Sequence, residues 1–170
     1  MPGWLPTPLL TERLRLRPWA DCDEAAIVAL KTDPEVRKYL GGPQSREKAL
    51  AGTREQIAAQ HWGHFVVTTQ PSGEAVGTVS FDRKRGPWEV SLQLRRDYWG
   101  RGLMTEALSK AILWFFDVTP DVNELIAVTQ SDNRRTRALI VRCGASYNKT
   151  FSEHGVEQTQ YLFSRQADPG

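Results

Sequence analysis

The hydrophobic rhythm of the chain changes period several times. Leu14 and Leu16 alternate with Arg13, Arg15 and Arg17, the period of two expected of a half-buried strand, and Pro18 ends the run. Ala26, Ile27 and Leu30 then recur at helical spacing across residues 24–31, with Asp21 as the expected N-cap and Asp33-Pro34 as the break. A second helix is expected from about Ser45 through Leu50 and Ile57, closed by Gly63. β-rich runs follow at 65–69 and 75–81, joined by the turn residues Gln70-Pro71-Ser72-Gly73, and another at 88–94. The amphipathic stretch 103–116 reads as a helix, 125–129 as a strand, and 134–142 as a helix stopped by Gly144. Runs at 145–151 and 158–163, separated by Ser152-Glu153-His154-Gly155, give two final strands. Strands interleaved with helices in this order predict a mixed α/β layer fold.

Composition narrows the functions. With 170 residues, 40% hydrophobic and 25% charged, the chain fits one globular domain spanning residues 1–170. A net charge of +2 gives no basic footprint, so neither a nucleic acid nor a membrane is expected as partner. Cys22 and Cys143 show no metal or disulfide spacing, and His61 and His64 lack a third ligand, so no metal is expected. The N-terminal ten residues carry three prolines and do not read as a secretory signal. The longest apolar run, residues 111–116, is far below the roughly 20 residues of a membrane span. The expected location is therefore cytoplasmic, and the choice between monomer and homodimer stays open.

One junction carries chemistry. In Trp99-Gly100-Arg101-Gly102-Leu103-Met104-Thr105-Glu106-Ala107 two glycines stand one residue apart where a strand gives way to a helix. Backbone amides at such a helix start face outward and favour an anion, and the missing side chains allow close approach. A tight turn explains the same spacing. The dinucleotide fingerprint would need a glycine at Thr105, and the pattern GxxxxGK[ST] is absent, which leaves the pyrophosphate of an acyl-coenzyme A as the best match.

Residues 89–94 followed by Asp97-Tyr98-Trp99-Gly100-Arg101-Gly102 and Thr105-Glu106-Ala107-Leu108 resemble the acetyl-coenzyme A motif of the GNAT acetyltransferase superfamily. Within it they are similar to the ribosomal-protein N-terminal (alanine/serine) acetyltransferases, and stretches 10–17, 77–81 and 133–144 agree. The resemblance implies the GNAT fold, a mixed, mostly antiparallel sheet of about seven strands with helices on both faces. It also implies an N-acetyltransferase, with acetyl-CoA as donor cosubstrate and a protein N-terminus or small-molecule amine as acceptor. Ser91, Val141 and Ala145 depart from the usual residues and bear on the acceptor pocket.

Transfer to an amine needs a base for the attacking nitrogen and an acid for the leaving thiolate. By the resemblance, Leu92 and Leu94 offer backbone contacts to the donor, and Gly100, Arg101, Gly102, Met104 and Thr105 hold its phosphates. Glu89 shares a strand face with Ser91 and Gln93 and is the candidate base; its bland alternative is an exposed strand carboxylate. Asn133 is carried over as a ligand for pantetheine or water and fits equally as an N-cap. The tyrosine acid common in the superfamily is replaced by Ile140, so the Thr136 hydroxyl is the candidate proton donor, unless it simply bonds a carbonyl one turn earlier. The rival reading from another class is a non-catalytic acyl-CoA-binding sensor or scaffold, and a DNA-binding helix at 134–142 is the least supported.

Overall fold

The computed structural model describes residues 7–166, so most of the N-terminal stretch read for a secretory signal lies outside the described residues. The sheet opens with Leu9–Leu10 (β1), paired antiparallel to Leu14–Pro18 (β2). Two residues cannot show a period, which is why β1 escapes the hydrophobic pattern. A 3₁₀ turn at Asp21–Asp23 precedes α1 (Glu24–Thr32), and Asp23 rather than Asp21 holds the N-cap position. Its buried carboxylate accepts from the Ala20 amide at 2.8 Å and from Arg17 at 2.7 Å, so it is fixed by an ion pair and does not bond the amides of α1.

Helix α2 (Arg46–Ala59) starts on Ser45, whose hydroxyl accepts from the Lys48 amide at 3.2 Å. It ends on Gln60, not Gly63. Gln60 takes the left-handed conformation at φ 47°, and its side-chain amide donates to the carbonyls of Ile57 at 2.6 Å and Trp19 at 2.9 Å. Those two bonds offset a backbone conformation that otherwise favours glycine.

An antiparallel meander of β3 (His64–Thr69), β4 (Ala75–Asp82) and β5 (Glu89–Leu94) leads into α3 (Leu103–Val118). Then come β6 (Glu124–Gln130), α4 (Arg134–Arg142), β7 (Ser146–Glu153) and β8 (Val156–Ser164). Among the described residues the sheet has eight strands in the order β1-β2-β3-β4-β5-β6-β8-β7, one more than the pattern counted, and only β5 and β6 run parallel.

Strand alternation puts helices on both faces. Phe65 and Val67 join one core with Leu103, Leu108, Ala111 and Phe115 of α3 and Ile140 of α4, whereas Val66 between them packs with Trp19 and with Ile27 of α1. Burying one such large apolar side chain contributes about 1.5–3 kcal/mol, so α3 is anchored over most of its length. No helix among the described residues is long and apolar enough to cross a membrane.

Candidate active site

The parallel neighbours β5 and β6 meet at a single register pair, Glu89 with Ile126, where the Ile126 amide donates to the Trp88 carbonyl at 2.9 Å. Beyond it the strands diverge. Because strand residues turn their backbone groups to alternate edges, and the odd-numbered Arg95 donates back to Val76 of β4 at 2.8 Å, Leu92 and Leu94 turn theirs toward β6. The Leu94 carbonyl accepts the Trp99 indole N–H at 2.9 Å, which leaves its amide and both Leu92 groups without a sheet partner. A cleft of about 790 Å³ occupies the gap. On the far edge of β5, the Gln93 carbonyl lies so close to Gly77 that any side chain there would collide, which sets how near this lip approaches β4.

The glycine loop forms one end of the cleft. Gly100 (φ 76°) and Gly102 (φ 74°) adopt left-handed backbone, and Gly102 is the N-cap of α3 with no side chain to fill that role. The first intrahelical bond runs from the Glu106 amide to the Gly102 carbonyl, so the amides of Leu103, Met104 and Thr105 lack intrahelical partners on the cleft wall. A Cβ on Gly102 would meet only the Arg13 guanidinium, at 3.6 Å. Glycine is therefore favoured by its φ, not by crowding within the protein.

The loop is tied down from behind. Glu106 accepts from Thr11 Oγ1 at 2.5 Å, from the Arg13 amide at 2.9 Å and from Arg13 Nε at 2.8 Å, while Arg13 donates to the Arg101 carbonyl at 2.9 Å. Burial alone would raise the Glu106 carboxyl, but these donors hold it below the usual range. The Arg101 side chain lies over the Tyr98 ring at 5.1 Å and is not part of the cleft lining.

Across the gap, α4 begins on Asn133. Its Oδ1 accepts from the Thr136 amide at 3.2 Å and its Nδ2 donates to Thr129 at 3.1 Å, so the residue is an N-cap on the cleft wall. Thr136 lines the cleft as well. The hydroxyls of Thr32, Thr53 and Thr119 each bond the carbonyl four residues back, at 2.9, 2.7 and 2.6 Å; among the described residues Thr136 Oγ1 makes no such bond. Ile140 is buried behind it.

Glu89 is placed differently. Its strand-face neighbours Ser91 and Gln93 line the cleft, but Glu89 does not, and at 3% exposure it is no surface carboxylate. Both of its oxygens accept from Arg85 Nη1, at 2.6 and 2.7 Å, and the same guanidinium spans to Glu153 at the end of β7 at 2.6 and 3.0 Å. Burial pushes the Glu89 carboxyl up, and Arg85 pulls it back only in part. Glu153, fully bonded to Arg85, is held below the usual carboxylate range.

The opposite wall comes from the turns after α1, where Glu35, Val36, Lys38, Tyr39 and Leu40 line the cleft. Their spacing carries no motif, and the sequence pattern passes over them. The rings of His61 and His64 lie 5.3 Å apart away from the cleft, and burial lowers the His64 pKa to about 4. No group of three metal-ligating side chains occurs among the described residues.

Residues 13–146 match the family model described as "Acetyltransferase (GNAT) domain". The chain is 27% identical over 166 residues to YoaA of Bacillus subtilis (strain 168), described as an uncharacterized N-acetyltransferase, covering 91% of this chain and 88% of that protein. A GNAT-family acetyltransferase of Bacillus anthracis superposes with a TM-score of 0.82 at 20% identity, over 93% of this chain and 98% of that one. The ribosomal-protein-S5-alanine acetyltransferase of Vibrio fischeri superposes with a TM-score of 0.75 at 16% identity, over 94% and 97%. At such identities the structures share the fold.

Proposed function

We propose, because the chain belongs to the GNAT acetyltransferase family, that it transfers an acetyl group from acetyl-CoA to a primary amine, either a protein N-terminus or a small molecule. The observation that carries this reading is the meeting, in one cleft, of an uncapped helix start with an unpaired strand edge. The first suits a pyrophosphate, and the second suits an extended amide chain such as pantetheine, which pairs as an added strand would. The V. fischeri enzyme acts, by its name, on a protein alanine, which makes a peptide N-terminus the first acceptor to try.

In this reading the amides of Gly100, Arg101, Gly102, Met104 and Thr105 hold the pyrophosphate, and the backbones of Leu92 and Leu94 align the pantetheine and the acetyl carbonyl. Asn133 orients the pantetheine or a water. The donor supplies an acyl group activated as a thioester. As the new C–N bond forms and the C–S bond breaks, Glu89 takes the amine proton through water, since the side chain lies behind the cleft lining. The Thr136 hydroxyl, unspent on its own helix, gives a proton to the departing sulfur and regains one from solvent. The raised carboxyl makes Glu89 a stronger base than an ordinary carboxylate.

Glu89→Gln tests the assignment. It should keep acetyl-CoA affinity and lower kcat/KM by roughly 10²-fold, and it should lack the acid limb expected of the wild type above the ordinary carboxylate range. Stability supplies a second reading of the same group. Its folded-state pKa is raised, so its contribution is fully present at acid pH and is lost as pH rises through the folded value; the glutamine variant lacks that slope. A variant with wild-type rate and pH profile would remove Glu89 from the chemistry.

A further inference from the structure

Helix α4 carries four arginines whose situations differ. Arg137 is committed to the protein, donating to the Tyr161 hydroxyl at 2.9 Å and to the Ser131 carbonyl at 2.8 Å. Arg134, Arg135 and Arg142 instead line the cleft, and among the described residues none has a carboxylate within 4.0 Å. With Lys38 they make four cations on the cleft wall against two carboxylates, Glu35 and Asp132. An excess of positive charge has been gathered there in a chain whose total is nearly balanced.

Arg135 is also held in place. Its guanidinium carbon lies 4.0 Å from the centroid of the Trp99 ring, face-on contact distance for a cation over an aromatic. Trp99 is itself fixed, its indole N–H on the Leu94 carbonyl and its ring packed against the core. A guanidinium stacked in this way keeps its in-plane N–H groups free for a planar pair of oxygens, and it loses little rotamer freedom on binding. Trp99 directly precedes Gly100, so the held cation sits beside the loop whose open amides suit a pyrophosphate. Coenzyme A has one phosphate besides that pyrophosphate, a monoester on the ribose.

We propose that Arg135, braced on Trp99, is a second phosphate seat that receives the 3′-phosphate of the donor nucleotide and makes the enzyme discriminate coenzyme A from its 3′-dephosphorylated form. Arg134 adjoins it, and Arg142, about two turns further along the helix, adds to the field that draws the anion in. The inference rests on reading the cleft as the donor site.

Titration calorimetry of coenzyme A and 3′-dephospho-coenzyme A against the full chain and its Arg135→Gln variant tests it. Arg135 is exposed, and glutamine is tolerated in a helix, so circular dichroism should match the wild type. The wild type should bind coenzyme A roughly tenfold or more tightly than the dephospho form. Arg135→Gln should bring the two affinities together by weakening coenzyme A alone. Equal wild-type affinities, or a preference that survives in Arg135→Gln, would overturn the phosphate seat and leave the donor site standing. Failure of both ligands to bind the wild type would overturn the donor site, and the seat with it.

Discussion

Two strand-to-helix junctions face each other across the cleft, built on opposite plans. α3 starts on Gly102, which has no side chain to cap the first turn, and it presents bare amides. α4 starts on Asn133, whose side chain closes that turn, and it presents side chains instead: Thr136, Arg134 and Arg135. A helix end left open costs stability unless a ligand completes it, whereas a capped end is complete as folded. In the proposed function the difference gives the two walls distinct work, anion reception by backbone on one and side-chain chemistry on the other.

Closing the open junction should have the largest effect. Gly102→Val places a β-branched side chain at φ 74° and over the amides, so acetyl-CoA affinity should fall on the order of 10²-fold in protein with unchanged circular dichroism. Unchanged affinity would mean that the open junction is only a turn.

Removing chemistry from the capped junction comes next. Thr136→Ala should lower kcat by about 10²-fold and leave acetyl-CoA affinity within about twofold, because the hydroxyl is needed only as the sulfur leaves. Equal turnover would reduce Thr136 to a helix residue with a free hydroxyl.

The smallest effect should come from opening the capped junction. Asn133→Ala deletes a cap and should cost about 1 kcal/mol, a fall in Tm of roughly 2–4 °C for a chain of this size. Thermal denaturation checks it. A loss well above that figure would show that the bond to Thr129 contributes as much as the cap.

Both junctions were legible in the sequence because their geometry is local: Gly100 and Gly102 set the backbone of one helix start, and Asn133 caps the other through the Thr136 amide. The helix 134–142 came out at its observed bounds for the same reason, with a glycine at φ 101° just beyond it. What pattern could not supply is contact at long range. Arg85 and Glu153 are 68 residues apart, and nothing in either neighbourhood tells of the other. Glu89, which the pattern allowed to be an exposed strand carboxylate, is buried and paired with Arg85, and the long-range bond to Glu153 holds that guanidinium in place. Glu153, placed by the sequence pattern in a turn, is bonded to Arg85. The stack of Arg135 on Trp99 is equally invisible, and so is the wall at residues 35–40, whose place depends on how α1 and α2 lie on the sheet. Gln60 shows the converse: a strong rule for helix ends favoured Gly63, and two side-chain bonds overrode it.

The single rung between β5 and β6 has a mechanical consequence. It is a seam: five strands lie on one side and three on the other, and the backbone crosses between them once, through α3. A molecule lying in the gap and touching both edges acts as a clasp across that seam, resisting the separation of the two halves. The resistance follows from mass action, since a ligand at 100 times its dissociation constant that binds only the folded chain adds about 2.7 kcal/mol to the work of unfolding. The empty protein and the filled one should then differ less in shape than in how readily the two halves come apart.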